Sequence, residues 1–184
     1  MQTSLHRFLL ALVCLLAISA NSFSRKQFYE NGSKSRPETL NFASSSRSIV
    51  DLSGNWSCST DEGVTWNDIL VPSASNFEGK VIFTKKFDLS SSLLTSHSFK
   101  FVAYGMNYMA EVFLNEIFVG KHEGGYTSFS FLVPENTLQV GNENFIRVVV
   151  DNTLNAKSTL PLRQQVGGWK NYGGILRDIF LVAT

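Results

Sequence analysis

The stretch Ala110-Glu111-Val112-Phe113-Leu114-Asn115-Glu116-Ile117-Phe118-Val119 decides the fold class. Ala110, Val112 and Leu114 alternate with Glu111, Phe113 and Asn115, a period of two that places one set of side chains on one face of a strand. Asn115-Glu116 then separates two apolar runs and reads as a tight hairpin turn, because asparagine tolerates positive φ.

The same grammar extends in both directions. Val81-Ile82-Phe83-Thr84-Lys85-Lys86-Phe87 starts a strand, and Phe99, Phe101 and Ala103 share one face of the next. Phe129, Phe131 and Val133 alternate with Ser128 and Ser130, and Ile146, Val148 and Val150 alternate with Arg147 and Val149. A final strand is expected from Ile175 to Val182. Apolar residues on both faces at Val148-Val149-Val150 point to a strand buried between two sheets. Gly124-Gly125 and Gly141-Asn142 mark further turns. Helical spacing is not sustained anywhere after the N-terminal segment. Short strands at this spacing imply an all-β sandwich or barrel.

Residues 1–22 read as a secretory signal: His6 and Arg7 precede an apolar run from Phe8 to Ala20, with small residues at Ala20 and Ser22 ahead of a cleavage before Phe23. That run is well short of the roughly 20 residues that a membrane-spanning helix needs. The protein is therefore expected to be secreted or periplasmic, with no membrane attachment after cleavage. Residues 23–48 form a polar leader with no strand or helix period, read as flexible, and residues 49–184 form the folded domain. After cleavage Cys58 is the only cysteine, so no internal disulfide can form and the core must carry the stability. A formal charge of +1, with scattered bases, argues against a nucleic-acid partner. No spacing of His, Cys, Asp and Glu suggests a metal site, and no cofactor motif is present.

Several segments, in order, resemble one family. Leu52-Ser53-Gly54-Asn55-Trp56, Val71-Pro72, Phe83 to Phe87, Ala110 to Asn115, Val119 to Phe129 and Val140 to Asn144 are each similar to pieces of the N-terminal sugar-binding domain of family 2 glycoside hydrolases, the β-galactosidase and β-glucuronidase group. Trp169-Lys170-Asn171-Tyr172-Gly173-Gly174-Ile175-Leu176-Arg177-Asp178 resembles the closing motif of that domain. The resemblance runs from about Leu52 to the last residue and implies a jelly-roll β-sandwich of the galactose-binding-domain-like class. In the family this domain precedes an immunoglobulin-like domain and a barrel carrying a catalytic glutamate pair. The chain is accordingly expected to be a non-catalytic piece of an exported glycosidase, inactive by itself. Its partners would be a β-linked sugar and the downstream domains that complete the parent enzyme. The alternatives are a free-standing secreted carbohydrate-binding module and, well behind it, a small hydrolase in its own right.

The segment from Leu160 to Gly174 holds the candidate site. Arg163, Gln164, Gln165 and Asn171 offer planar donors and acceptors suited to sugar hydroxyls, with Lys170 beside them. Trp169 and Tyr172 suit stacking on the C–H face of a pyranose. In the family the corresponding loop reaches toward the catalytic pocket and helps hold the terminal sugar. Several members carry an aspartate there that touches the sugar or a sodium ion, whereas Gly168 stands at that position here. Neither that sugar contact nor a sodium site is carried over. Trp169 and Tyr172 either stack on a sugar or cap the sandwich, and the sequence leaves both open. No catalytic residues are assigned. His122-Glu123 reads as an exposed turn, and Arg177-Asp178 as a structural pair.

Overall fold

The computed structural model describes residues 28–30, 44–93, 98–155 and 167–184. Its strands are β1 (Phe28–Glu30), β2 (Ser48–Asp51), β3 (Gly54–Ser59), β4 (Asn67–Val71), β5 (Ser73–Ser75), β6 (Lys80–Asp88), β7 (Phe99–Ala103), β8 (Met106–Asn107), β9 (Met109–Leu114), β10 (Ile117–Glu123), β11 (Phe129–Leu132), β12 (Glu143–Asp151), β13 (Gly174–Ile175) and β14 (Ile179–Ala183). A six-stranded sheet runs β10-β9-β12-β6-β3-β4 and a four-stranded sheet runs β11-β7-β14-β2. All their pairings are antiparallel. The fold is an all-β sandwich, as the alternation requires.

The period-two pattern becomes burial directly. In β9, Ala110, Val112 and Leu114 are fully buried, and in β12 so are Ile146 and Val148. From the opposite sheet Phe101, Ala103, Ile179 and Leu181 join the same apolar cluster. The indole of Trp56 lies in this core and its Nε1–H donates to Leu52 O at 2.7 Å, so the Leu52 to Trp56 motif is a packing unit with its buried donor satisfied. The hairpin turn falls at Asn115-Glu116, with φ of 46° and 64°, the two positive values of a type I′ turn.

Two expectations change. The final strand is broken: β13 ends at Ile175, the N–H groups of Leu176 and Arg177 both donate to Gly105 O, and β14 begins at Ile179. The backbone leaves one pairing and enters the four-stranded sheet there. Val149 is only half-buried, because β12 has a second sheet on one side alone, so its outward face is not covered as the apolar run suggested. Within the stretch read as a leader, Phe28–Glu30 forms β1, paired antiparallel to β5, and Ser48 opens β2. The signal segment lies outside the described residues.

Phe83 is fully buried, so Phe83→Ala is expected to cost about 3–5 kcal/mol of stability. Cys58 supplies the readout. It is 1% exposed, and burial, with the Asp68 carboxylate adding, pushes its thiol up to about 11. Labelling by a thiol reagent at neutral pH should require denaturant, and the labelling midpoint should fall in the variant; rapid native-state labelling of the wild type would contradict this packing. A second expectation concerns His122, whose ring stacks on Phe129 at 4.0 Å between β10 and β11. Burial holds its imidazole below the ordinary 6.5, outweighing the opposing influence of Gly124 and Glu123. The unfolded chain therefore binds the proton more readily, and stability is complete above about pH 6.5 and is lost as pH falls below it. His122→Phe, which keeps the stacking, should flatten the pH dependence of Tm between about pH 7 and 5.

Candidate functional site

One end of the sandwich gathers the segment from Trp169 to Gly174, the turn after β10, and the chain leaving β12. Its centre is Asn107, 1% exposed, at the end of β8. β8 pairs with β13, with Gly174 opposite Asn107, and this brings the candidate segment alongside. Asn107 Nδ2 donates to Asn171 Oδ1 at 2.8 Å and to the backbone oxygen of Tyr172 at 2.6 Å. Asn171 Nδ2 donates onward to the backbone oxygen of Asn152 at 2.6 Å. Asn152 in turn accepts from the Gly79 N–H at 2.9 Å and donates to Phe77 O at 3.0 Å. A run of buried amides thus ties together segments that are remote in the chain.

Gly173 completes the attachment. Its N–H donates to Ser75 O and its carbonyl accepts from the Ser75 N–H, both at 2.8 Å. A Cβ on Gly173 would lie 2.6 Å from Asn152 Nδ2, so only glycine permits this approach. The result is a loop whose inner side is fully engaged and whose outer side carries Tyr172, 37% exposed, with Trp169 half-buried and Lys170 exposed. The Lys170 ammonium lies 5.2 Å from the Tyr172 ring centroid, within cation–π range.

The expected residues therefore divide. Lys170 and Tyr172 lie together on the outer side of this loop, and Trp169 is half-buried beside them in the chain. Asn171 faces inward, 2% exposed, with its amide bonded to Asn107 and Asn152. Arg163, Gln164 and Gln165 lie outside the described residues. Gly168 is exposed with φ of 79°. Among the described residues no group of three or more His, Cys, Asp and Glu side chains could hold a metal ion. Asn107 and Asn152 were not legible as site residues, because nothing local in the sequence distinguishes a networked asparagine from a turn asparagine. The glycine pair Gly124-Gly125 was visible as a turn, but not its contact with Asn107.

Residues 54–156 match the family model described as the beta-galactosidase second all-beta domain. A beta-glucuronidase from Bacteroides fragilis is 35% identical over 80 residues, covering 44% of this chain and 11% of that protein. A beta-galactosidase from Thermoanaerobacterium thermosulfurigenes is 35% identical over 77 residues, covering 42% of this chain and 10% of that protein. The match thus spans about a tenth of these curated relatives. Among solved structures, the beta-D-glucuronidase of Dictyoglomus thermophilum superposes with a TM-score of 0.66 at 25% identity, over 77% of this chain and 29% of that one. The beta-glucuronidase of Ruminococcus gnavus, at 18% identity, shares the fold with a TM-score of 0.68 over 78% of this chain and 30% of its own. With more than half its residues inside the matched model, the chain belongs to the family of the beta-galactosidase second all-beta domain, an all-β domain of family 2 glycoside hydrolases.

Proposed function

We propose that this chain is the non-catalytic, N-terminal sugar-binding domain of an exported family 2 glycoside hydrolase, a jelly roll of the galactose-binding-like class that works with downstream domains of the parent enzyme. The observation that carries the reading is the loop from Trp169 to Tyr172. It presents aromatic and cationic side chains outward on a frame of buried amides, in a chain whose relatives are named beta-glucuronidase and beta-galactosidase. A pyranose offers a weakly apolar face and a rim of hydroxyls. Trp169 and Tyr172 suit the face, and Lys170 suits the rim together with Arg163, Gln164 and Gln165. Asn171 serves from behind, holding the loop through Asn107 and Asn152. The signal-like residues 1–22 support export.

The purified chain should leave p-nitrophenyl β-galactoside and β-glucuronide intact, and should bind the corresponding methyl β-glycosides, measured by titration calorimetry. Trp169→Ala is expected to weaken that binding roughly tenfold. Unchanged affinity in the variant would remove the loop from the sugar site, and turnover by the chain alone would overturn the non-catalytic reading. Export is checked separately: N-terminal sequencing of the protein recovered outside the cytoplasm should begin at Phe23.

A further inference from the structure

Asn107 touches two loops, and only one of them is in the reading above. Its Nδ2 holds the Tyr172 backbone, while its Oδ1 lies against Gly125 so closely that any Cβ there would collide with it. Gly124 N–H donates to the backbone oxygen of Tyr108, the residue after Asn107, at 3.1 Å. On the far side Thr127 Oγ1 lies 3.4 Å from His122 Nε2, and the His122 ring is stacked on Phe129. The turn from Gly124 to Ser128 is therefore seated on Asn107 and Tyr108 from one direction and on His122 from the other. What it presents is Tyr126, 52% exposed. One buried side chain thus stands between two loops that each carry an exposed tyrosine. An exposed tyrosine on a pinned loop supplies a flat apolar face and a hydroxyl without much ordering cost on binding.

We propose that Tyr126 and Tyr172 form one sugar-contacting surface, with Asn107 as the positioning residue that sets one loop against the other. This rests on the sugar-binding reading of the Trp169 to Tyr172 loop and adds a second loop to it. The ligand class is a β-linked pyranose with a further sugar or aglycone attached, long enough to lie across both tyrosines. Asn107 Oδ1, buried and without a hydrogen-bond partner, packs against Gly125, while the two donations of Nδ2 fix the plane of the same amide, so one rigid group meets both loops.

The test uses the full chain labelled with ¹⁵N and titrated with methyl β-cellobioside and methyl β-lactoside. Amide signals of residues 124–128 and 169–174 are expected to shift together with a single dissociation constant. A shift at 169–174 without one at 124–128 overturns the shared surface and leaves the sugar reading standing. No shift in either segment removes the sugar reading and the shared surface with it. Tyr126→Ala, which alters an exposed side chain outside the core, should lower affinity roughly two- to tenfold with Tm unchanged; unchanged affinity overturns the proposal. Asn107→Asp keeps the size and Oδ1 but removes both Nδ2 donations. If Asn107 positions Tyr172 against Tyr126, then Tyr172→Ala costs little more once Asn107→Asp is present. Fully additive losses would overturn the positioning role, because a merely structural asparagine leaves the two changes independent.

Discussion

A β-sandwich must satisfy the backbone at the ends of its strands as well as bury their faces, and here asparagine side chains do that at both ends. At the hairpin end, Asn115 Oδ1 accepts from the Phe145 N–H at 2.8 Å, and its Nδ2 reaches Thr137 O and Asn144 Oδ1, each at 2.8 Å. Asn144, 1% exposed, accepts from the Gln139 N–H and donates to Gln139 O and Asn142 O. At the opposite end Asn107, Asn171 and Asn152 do the same for the loops described above. A primary amide suits this position because it offers donor and acceptor on one short rigid group, so it imitates a missing peptide. Each buried group left without a partner would cost about 1–3 kcal/mol, which is why these loops have one arrangement instead of several.

The consequence for function lies in stiffness. Loops on a sandwich usually trade order for adaptability, and a ligand that orders a loose side chain loses about 0.5–1.5 kcal/mol for each. The segment from Trp169 to Gly174 has its inner face bonded through Asn171, the Tyr172 carbonyl and both backbone groups of Gly173. The exposed Tyr172 ring is thereby held with most of that ordering already complete. The charged side chains elsewhere contribute little by comparison. Lys86–Glu143 and Lys121–Glu123 are largely solvent-exposed pairs, whose net worth in water is small. Arg147 is the exception on the outer sheet face, since it pairs with Glu116 while covering the Phe113 ring at 3.9 Å.

What the sequence made legible follows from the range of the interaction that fixes it. Alternation in β9 and β12 is a local signal, and so is the Asn115-Glu116 turn, whose positive φ values an asparagine readily supplies. The break between β13 and β14 was not legible. Ile175, Leu176 and Ile179 to Val182 all satisfy a strand pattern, and the bonds at the break come from far off in the chain, with Leu176 and Arg177 donating to the Gly105 carbonyl and Tyr104 donating to that of Asp178. Val149 misled for a similar reason, since β propensity makes valine welcome on a half-covered face as well as a buried one. The site showed the same division. Aromatic and planar polar residues near the C-terminus were visible as candidates, but the inward turn of Asn171 depends on Asn107, 64 positions earlier.

The boundary of the family match gives these contacts a further meaning. Residues 54–156 include Asn107, Gly125, Tyr126 and Asn152, whereas Trp169 to Tyr172 lie beyond it. The frame therefore sits in the part of the chain that the family model recognises, and the presented loop sits outside it. The bonds that join the two largely use backbone atoms on one side or both: Asn107 to the Tyr172 carbonyl, Asn171 to the Asn152 carbonyl, and Ser75 with Gly173. A backbone oxygen accepts a hydrogen bond whatever side chain its residue carries. The outward residues of the loop can thus change without unseating it, provided that Asn171 and Gly173 keep their places. Such a junction lets one sandwich carry different loop surfaces. Gly168, with φ of 79° and open space around it, contributes nothing to the seat.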